Sequence, residues 1–268
     1  MKVQDFFNEN PVFRHAAFVA FLEATGSRRT KTREALLAYH VKAGHLLRLR
    51  RGLYAVVPRG LTPEDYPVDP YLLAGHLTVD AVLSHHSALQ FHGKAYSVHH
   101  RFTYLTRNAR RSFVFRGQEY IAIPFSKVLL AQQAELFGVT TQRHAGGEVR
   151  VTSLERTLVD VLVRPDLSGG WEEVWRSLES VEYFDLERVT DYTLKLRSAT
   201  AVAKVGFFLE QHRDALMVEE SHLACLRKHV PKQPCYLERS HRTAGKLVPA
   251  WNLVVPPTVL DRAWQEAE

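Results

Sequence analysis

Cysteine is scarce: the 268 residues contain two, Cys225 and Cys235. They form no CxxC pair and cannot build a disulfide framework. That excludes the small stapled secreted folds and fits a reducing cytoplasm. Long apolar runs are missing as well. No stretch approaches the roughly 18 residues that cross a bilayer. Met1-Lys2-Val3-Gln4-Asp5 is followed by no apolar segment of a secretory signal, so no membrane partner is expected. The chain has no GxxxxGK[ST], no strand-linked GxGxxG and no GxSxG, and nothing in it calls for a cofactor. Catalysis from dispersed residues stays open, because a fold can host chemistry without a local motif. What is present is an ordinary globular balance, 46% hydrophobic and 24% charged. It excludes a mainly disordered chain and allows one large core or two smaller ones.

Acidic residues are few at one end. Residues 1–60 hold 11 Lys/Arg against 4 Asp/Glu, while residues 61–268 hold 24 against 25, so the net +6 comes wholly from the first sixty residues. A basic head on a neutral body points to a polyanion, nucleic acid first. A merely well-solvated charged surface is the plainer alternative.

The head reads as helices followed by a hairpin. Asn10-Pro11 predicts a helix start, with apolar spacing through Phe13, Ala17 and Phe21 and a stop at Gly26. Thr30 or Thr32 opens a second helix to about Ala43, ended by Gly44, with Leu36, Leu37, His40 and Val41 on its inner face. Positive charge gathers at its entry, against the helix dipole, which suits a segment that meets phosphate. Leu46 to Val57 reads as a hairpin turning at Arg51-Gly52. Together these predict a winged helix-turn-helix over 1–60, with one helix in the major groove and the wing on the backbone or minor groove. The candidate DNA-binding residues are Arg28, Arg29, Lys31, Thr32, Arg33, Tyr39 and Lys42 around the helix, and Arg48, Arg50 and Arg51 on the hairpin.

The run from Leu36-Leu37-Ala38-Tyr39-His40 through Leu53-Tyr54-Ala55-Val56-Val57-Pro58 resembles the winged-helix start of the AbiEi family, antitoxins and transcriptional regulators of type IV toxin–antitoxin systems. Three later stretches are also similar to that family. They are Ser84-His85-His86-Ser87-Ala88-Leu89-Gln90-Phe91-His92-Gly93, then Thr152-Ser153-Leu154-Glu155-Arg156-Thr157-Leu158-Val159-Asp160, and last Val205-Gly206-Phe207-Phe208-Leu209-Glu210 followed by Trp251-Asn252-Leu253. The resemblance spans almost the whole chain and rests on the order and spacing of these runs. It implies double-stranded promoter DNA with inverted repeats as one partner. It implies as the other a cognate nucleotidyltransferase-like toxin, countered functionally and not necessarily by contact. It also implies autorepression of the operon by the winged helix and antitoxicity from the C-terminal domain.

The Pro-rich stretch 58–70 predicts a linker, so the expected fold is α+β: a winged helix-turn-helix at 1–60 and a larger mixed α/β domain at 61–268. At about 200 residues that body is large enough to fold alone. Within it, Asp69-Pro70 starts one helix and Asp80 caps another from Ala81 to Phe91. Thr152 and Glu155 form a capping box. No acidic residue occurs between Asp80 and Glu119, and the strands expected at Phe102–Leu105, Phe113–Phe115 and Tyr120–Ile123 offer either a second nucleic-acid surface or the polar face of an ordinary sheet. His85, His86, His92, His99 and His100 follow no metal-ligand spacing, so the expectation is no metal and histidines that pack and hydrogen-bond. Two other functions stay open: a nucleic-acid-processing enzyme with a winged-helix targeting head, and an antitoxin that binds its toxin directly.

Overall fold

Glycine at position 44 marks the end of the basic helix because its φ of 75° is one that side-chain-bearing residues resist. In the computed structural model of the protein, which describes residues 3–26, 30–108, 111–238 and 245–262, that helix is Thr30–Lys42. The expected hairpin follows, Leu46–Arg50 against Leu53–Val56, with a register shift between Arg48 and Arg50. The helix expected from Asn10-Pro11 is corrected. Val12–Arg14 is a strand, paired antiparallel with Leu53–Val56, and the helix begins only at His15 and runs to Ala24. Val56 N–H donates to the Pro11 carbonyl and His15 N–H to that of Gly52, both at 2.8 Å. The pairing partner lies some forty residues downstream, where helical spacing cannot register it. A further helix, Val3–Glu9, inserts Phe6 and Phe7 beside Phe13 and Phe18. Phe6 lies 5.2 Å from Phe13 and 5.3 Å from Phe18, centroid to centroid and edge-on. Such pairs add about 0.5–1.5 kcal/mol beyond the area they bury.

The chain packs into two compact units, and their boundary does not follow the Pro-rich stretch. The first unit takes in residues 1–83, 100–123 and 141–151. Within it, Arg14 donates to the carbonyls of His76 (3.2 Å) and Leu77 (2.9 Å), and Arg50 also reaches Leu77. Arg116 holds the carbonyls of Pro63 (2.6 Å) and Tyr66. Residues 58–70 are therefore pinned rather than free, and a fragment starting at 70 would lack part of a compact unit. A six-stranded sheet runs in the order Phe113–Phe115, Gln118–Pro124, Arg101–Thr106, Val82–Leu83, Gly147–Thr152, Val139–His144. The predicted helix Pro70–His76 is present, with the Asp69 carboxylate accepting from Leu72 N–H at 2.8 Å. Of the helix expected over Ala81 to Phe91, only His85–Phe91 forms. Val82–Leu83 forms a central strand, and Asp80 accepts instead from the Thr106 hydroxyl (2.6 Å) and Arg107 N–H (2.7 Å).

The second unit comprises residues 84–99, 124–140 and 152–268. Its core is helical: His85–Phe91, Leu154–Val163, Trp171–Glu179, Leu186–Lys195, Ala199–Gln211 and Glu220–Arg227. A small sheet orders Cys235–Tyr236, Leu253–Val255 and Lys246–Val248. The cap of Leu154–Val163 is Ser153, one residue later than expected, because Thr152 is buried and its hydroxyl pairs with that of Thr157 at 2.7 Å. Arg156 lies inside, 2% exposed, donating to the carbonyls of Glu135 (2.7 Å) and Phe137 (2.6 Å). Trp251 is fully buried over Gly206, and its indole N–H donates to Glu210 at 2.7 Å. The fold is mixed α+β, with twelve α-helices and three sheets among the described residues. No described helix is long and apolar enough to cross a membrane.

Candidate nucleic-acid interface

Helix Thr30–Lys42 and the hairpin after it carry the residues expected to meet DNA, and the structure separates them into three groups. Tyr39, Lys42, Arg48 and Arg51 are exposed, Tyr39 at 62%. Lys42 stands in the last turn, where the helix dipole favours a cation. Arg48 and Arg51 lie on the Leu46–Arg50 strand and the turn after it, each with a guanidinium suited to bidentate contact with phosphate oxygens. Lys31 and Thr32 occupy the first turn of the helix, which contains no acidic residue. Arg28 and Arg29 lie outside the described residues.

Arg33 and Arg50 belong to the third group, whose guanidinium groups have partners within the protein. Arg33 is 7% exposed and pairs with Glu23 of the preceding helix at 2.7 Å, so its charge faces into the unit rather than toward a groove. Arg50 is half-buried, bonded to the Leu77 carbonyl, and lies 5.7 Å over the Phe113 ring. Removing either side chain would loosen the unit before it altered a DNA contact. At the base of the helix, His40 and His45 face each other, Nδ1 to Nδ1 at 3.3 Å. Partial burial, and then the neighbouring His45, hold the His40 pKa below the usual imidazole value. The His40 ring is therefore held toward its neutral form and adds little to the charge of the face.

Much of the acid-free interval is committed to intramolecular bonds. Lys94 donates to the Ser180 carbonyl (3.1 Å), Arg101 pairs with Glu119 (3.1 Å), and Arg116 holds the Pro-rich stretch. Arg110 lies outside the described residues, and Arg111 is exposed. These bonds favour the ordinary polar sheet face over a second nucleic-acid surface.

Four of the five histidines of this interval hydrogen-bond through their rings, His100 being exposed, and one arrangement is one that spacing could not reveal. His92 Nε2 donates to the Thr152 carbonyl at 2.8 Å. His85 is buried with φ 51°, and its Nδ1 lies 2.9 Å from the Ser84 hydroxyl. His86 and His99 stack with centroids 3.8 Å apart, and Glu173 comes from a helix 87 residues further along to meet His86 Nε2 at 3.1 Å. The second unit also contains a cavity of about 700 Å³ lined in part by Arg164, Asp166, Lys204 and Glu238. Its charges are largely matched. Arg164 binds Asp166 at 2.7 Å, and Lys204 donates to the Val163 carbonyl and lies over the Trp171 ring. No nucleophile–base pair is evident in that lining.

In its fold the chain has a solved counterpart. It is similar to the RV2827C protein from Mycobacterium tuberculosis, whose crystal structure matches with a TM-score of 0.60 at 18% sequence identity, covering 99% of this chain and 94% of that one. At that identity the likeness speaks for the fold alone. No family model matches the chain, and no curated protein matches it.

Proposed function

We propose that the protein is a DNA-binding autorepressor whose first sixty residues act as a winged helix-turn-helix, and that it serves as the antitoxin of an AbiEi-like type IV system. The observation that carries the DNA reading is the exposed set of Tyr39, Lys42, Arg48 and Arg51 on one helix and the adjoining hairpin. That set lies within the sixty residues that contribute the entire positive balance. The element order supports it: helix, strand, two helices, then a two-stranded hairpin joined edge-on by the first strand. That is the arrangement in which a winged module presents its last helix to a groove and its hairpin to the backbone. The antitoxin role rests on the resemblance in sequence. Residues 61–268 would then counter a nucleotidyltransferase-like toxin.

The test has two arms. The full-length protein is titrated onto DNA from immediately upstream of its own gene and onto scrambled DNA of equal length. Preference for the upstream fragment is the expected result, and equal weak binding to both removes the repressor reading. In the second arm, a nucleotidyltransferase gene adjacent to this one is expressed from an unrelated promoter with and without this protein. Rescue of growth supports the antitoxin. No rescue reduces the protein to a repressor. Co-purification of the two products would favour direct binding of the toxin.

A further inference from the structure

Three ligand-type side chains meet in the second unit at a place unrelated to the DNA reading. His86 comes from helix His85–Phe91, His99 from the segment after it, and Glu173 from helix Trp171–Glu179. One nitrogen or oxygen from each lies within 4.8 Å of the others. His86 is 1% exposed, Glu173 is 7% exposed, and His99 is half-buried, which leaves one side of the cluster open to solvent.

The protonation states follow from the hydrogen bonds. Glu173 Oε1 lies near the Ser97 N–H (3.0 Å), the Ser177 hydroxyl (3.2 Å) and His86 Nε2 (3.1 Å), and the Ser97 hydroxyl donates to its Oε2 at 2.5 Å. The Ser97 and Ser177 donors on this carboxylate favour its ionised form. An ionised carboxylate only accepts, so His86 Nε2 carries a proton and its Nδ1 is a bare lone pair. That Nδ1 is buried and makes no hydrogen bond among the described residues. Two imidazoles and one carboxylate are a donor set that suits a borderline divalent ion once the ring nitrogens facing it have given up their protons.

The surroundings fix these groups in place. The Gln90 side chain spans the backbone of His99, accepting from its N–H (3.3 Å) and reaching its carbonyl (3.5 Å). Ser97 Oγ lies 3.1 Å from His99 Nε2 and also on Glu173. Gly169 closes one wall so tightly that a Cβ there would fall 2.8 Å from both Glu173 Cγ and His99 Cε1. Such partners orient ligands before an ion arrives. Tetrahedral zinc with bonds of about 2.0–2.1 Å needs neighbouring donors roughly 3.4 Å apart, and His86 Nε2 and Glu173 Oε1 already stand at 3.1 Å.

We propose that His86, His99 and Glu173 form a binding site for one divalent transition-metal ion, zinc by chemistry. The Ser97 hydroxyl or a water completes the shell. Binding of an ion at His86 Nε2 releases the proton held there to solvent, and the ring stays neutral by taking up one proton at Nδ1. The ion ties the segment 92–99 to helix Trp171–Glu179 as a structural staple.

The test uses the full-length protein stripped with a chelator and dialysed. Zinc is titrated by calorimetry, and cobalt(II) is added separately to read the visible absorption of an ion held by nitrogen and oxygen donors. One equivalent should bind with micromolar or tighter affinity. His99→Gln and Glu173→Gln should each weaken binding at least tenfold, while His100→Ala leaves it unchanged. His40→Ala/His45→Ala should also leave it unchanged, which separates the site from the other facing pair of histidines. His99 is half-buried, so His99→Gln keeps the test decisive if Glu173→Gln fails to fold. Absence of stoichiometric binding overturns the proposal. So does binding that survives His99→Gln or is lost in the His40/His45 variant.

Discussion

Gly206 sits in the middle of a thirteen-residue helix, where alanine would ordinarily be the better residue by about 1 kcal/mol. Here the sign should reverse. A Cβ at position 206 would lie 2.1 Å from Cζ3 of Trp251 and 2.4 Å from Cε3 and Cη2. The indole is fully buried and anchored by its N–H on Glu210, so it cannot swing away cheaply. Overpacking of this kind costs about 1–3 kcal/mol and occasionally more. The clash is deep, which places the cost near or above the top of that range. After the helix gain is subtracted, Gly206→Ala should destabilise by about 2 kcal/mol or more. In a chain of this size that lowers Tm by roughly 4–8 °C. The assay is urea denaturation of four proteins: wild type, Gly206→Ala, Trp251→Leu and the double variant. Trp251→Leu is destabilising by itself, but in its background the added methyl should cost much less, and a coupling energy above 1 kcal/mol would be expected for groups in direct contact. A Gly206→Ala protein as stable as wild type, or more so, would refute the reasoning.

Acidification from neutral pH should destabilise the fold through its buried histidines. Burial is the leading cause that holds the pKa values of His76, His85 and His86 below the usual imidazole value. Below about pH 6.5 the unfolded chain takes up protons that the folded chain refuses, so stability falls as pH falls; Tm measured at fixed ionic strength should drop between pH 7.5 and 5.5, and a flat or rising profile would contradict it. Arg156→Met should cost about 3–5 kcal/mol, because it strips the partner from one buried and one half-buried carbonyl and leaves Asp160 with the Tyr192 hydroxyl but no cation; a loss under 1 kcal/mol by denaturation would show that the arginine is dispensable. Arg33→Ala should lower stability by about 1 kcal/mol through loss of its packing and its Glu23 partner. It should leave the ratio of specific to random DNA affinity unchanged, and a selective loss of specific binding would return Arg33 to the interface.

Features set by neighbours in sequence were legible. Asp69-Pro70 starts a helix and Gly44 ends one because both act on the adjacent backbone. The hairpin at 46–56 was equally plain. Long-range pairing was not: Val12–Arg14 has helical spacing, yet a strand forty residues later claims its backbone. Asp80 had the makings of a cap until Thr106 and Arg107, distant in sequence, took its carboxylate. Thr152 and Ser153 are both good caps, and the buried Thr157 hydroxyl decided between them. Charge patterning located the basic head but not which guanidinium groups face outward, since Glu23 and the Leu77 carbonyl that turn Arg33 and Arg50 inward carry no local signal. The same applies to Glu173, whose meeting with His86 exists only in the fold. The stretches that carried the family resemblance prove to pack in pairs. Residues 84–93 meet 152–160 through His92 and the Thr152 carbonyl, and 205–210 meet 251–253 through Gly206 and Trp251. The resemblance in the body therefore lies in core contacts, which bear on architecture more than on activity.

The central claim is that Lys42, Arg48 and Arg51 contact phosphate. The most direct measurement is the salt dependence of DNA binding by the full-length protein and by the triple variant Lys42→Ala/Arg48→Ala/Arg51→Ala. Each phosphate contact contributes about −0.9 to the slope of log K against log salt, so the triple variant should have a slope shallower by roughly 2.7. It should bind upstream and random DNA more weakly alike, because phosphate contacts carry little base discrimination. Matching slopes and affinities for the two proteins would contradict the account and move the DNA surface elsewhere.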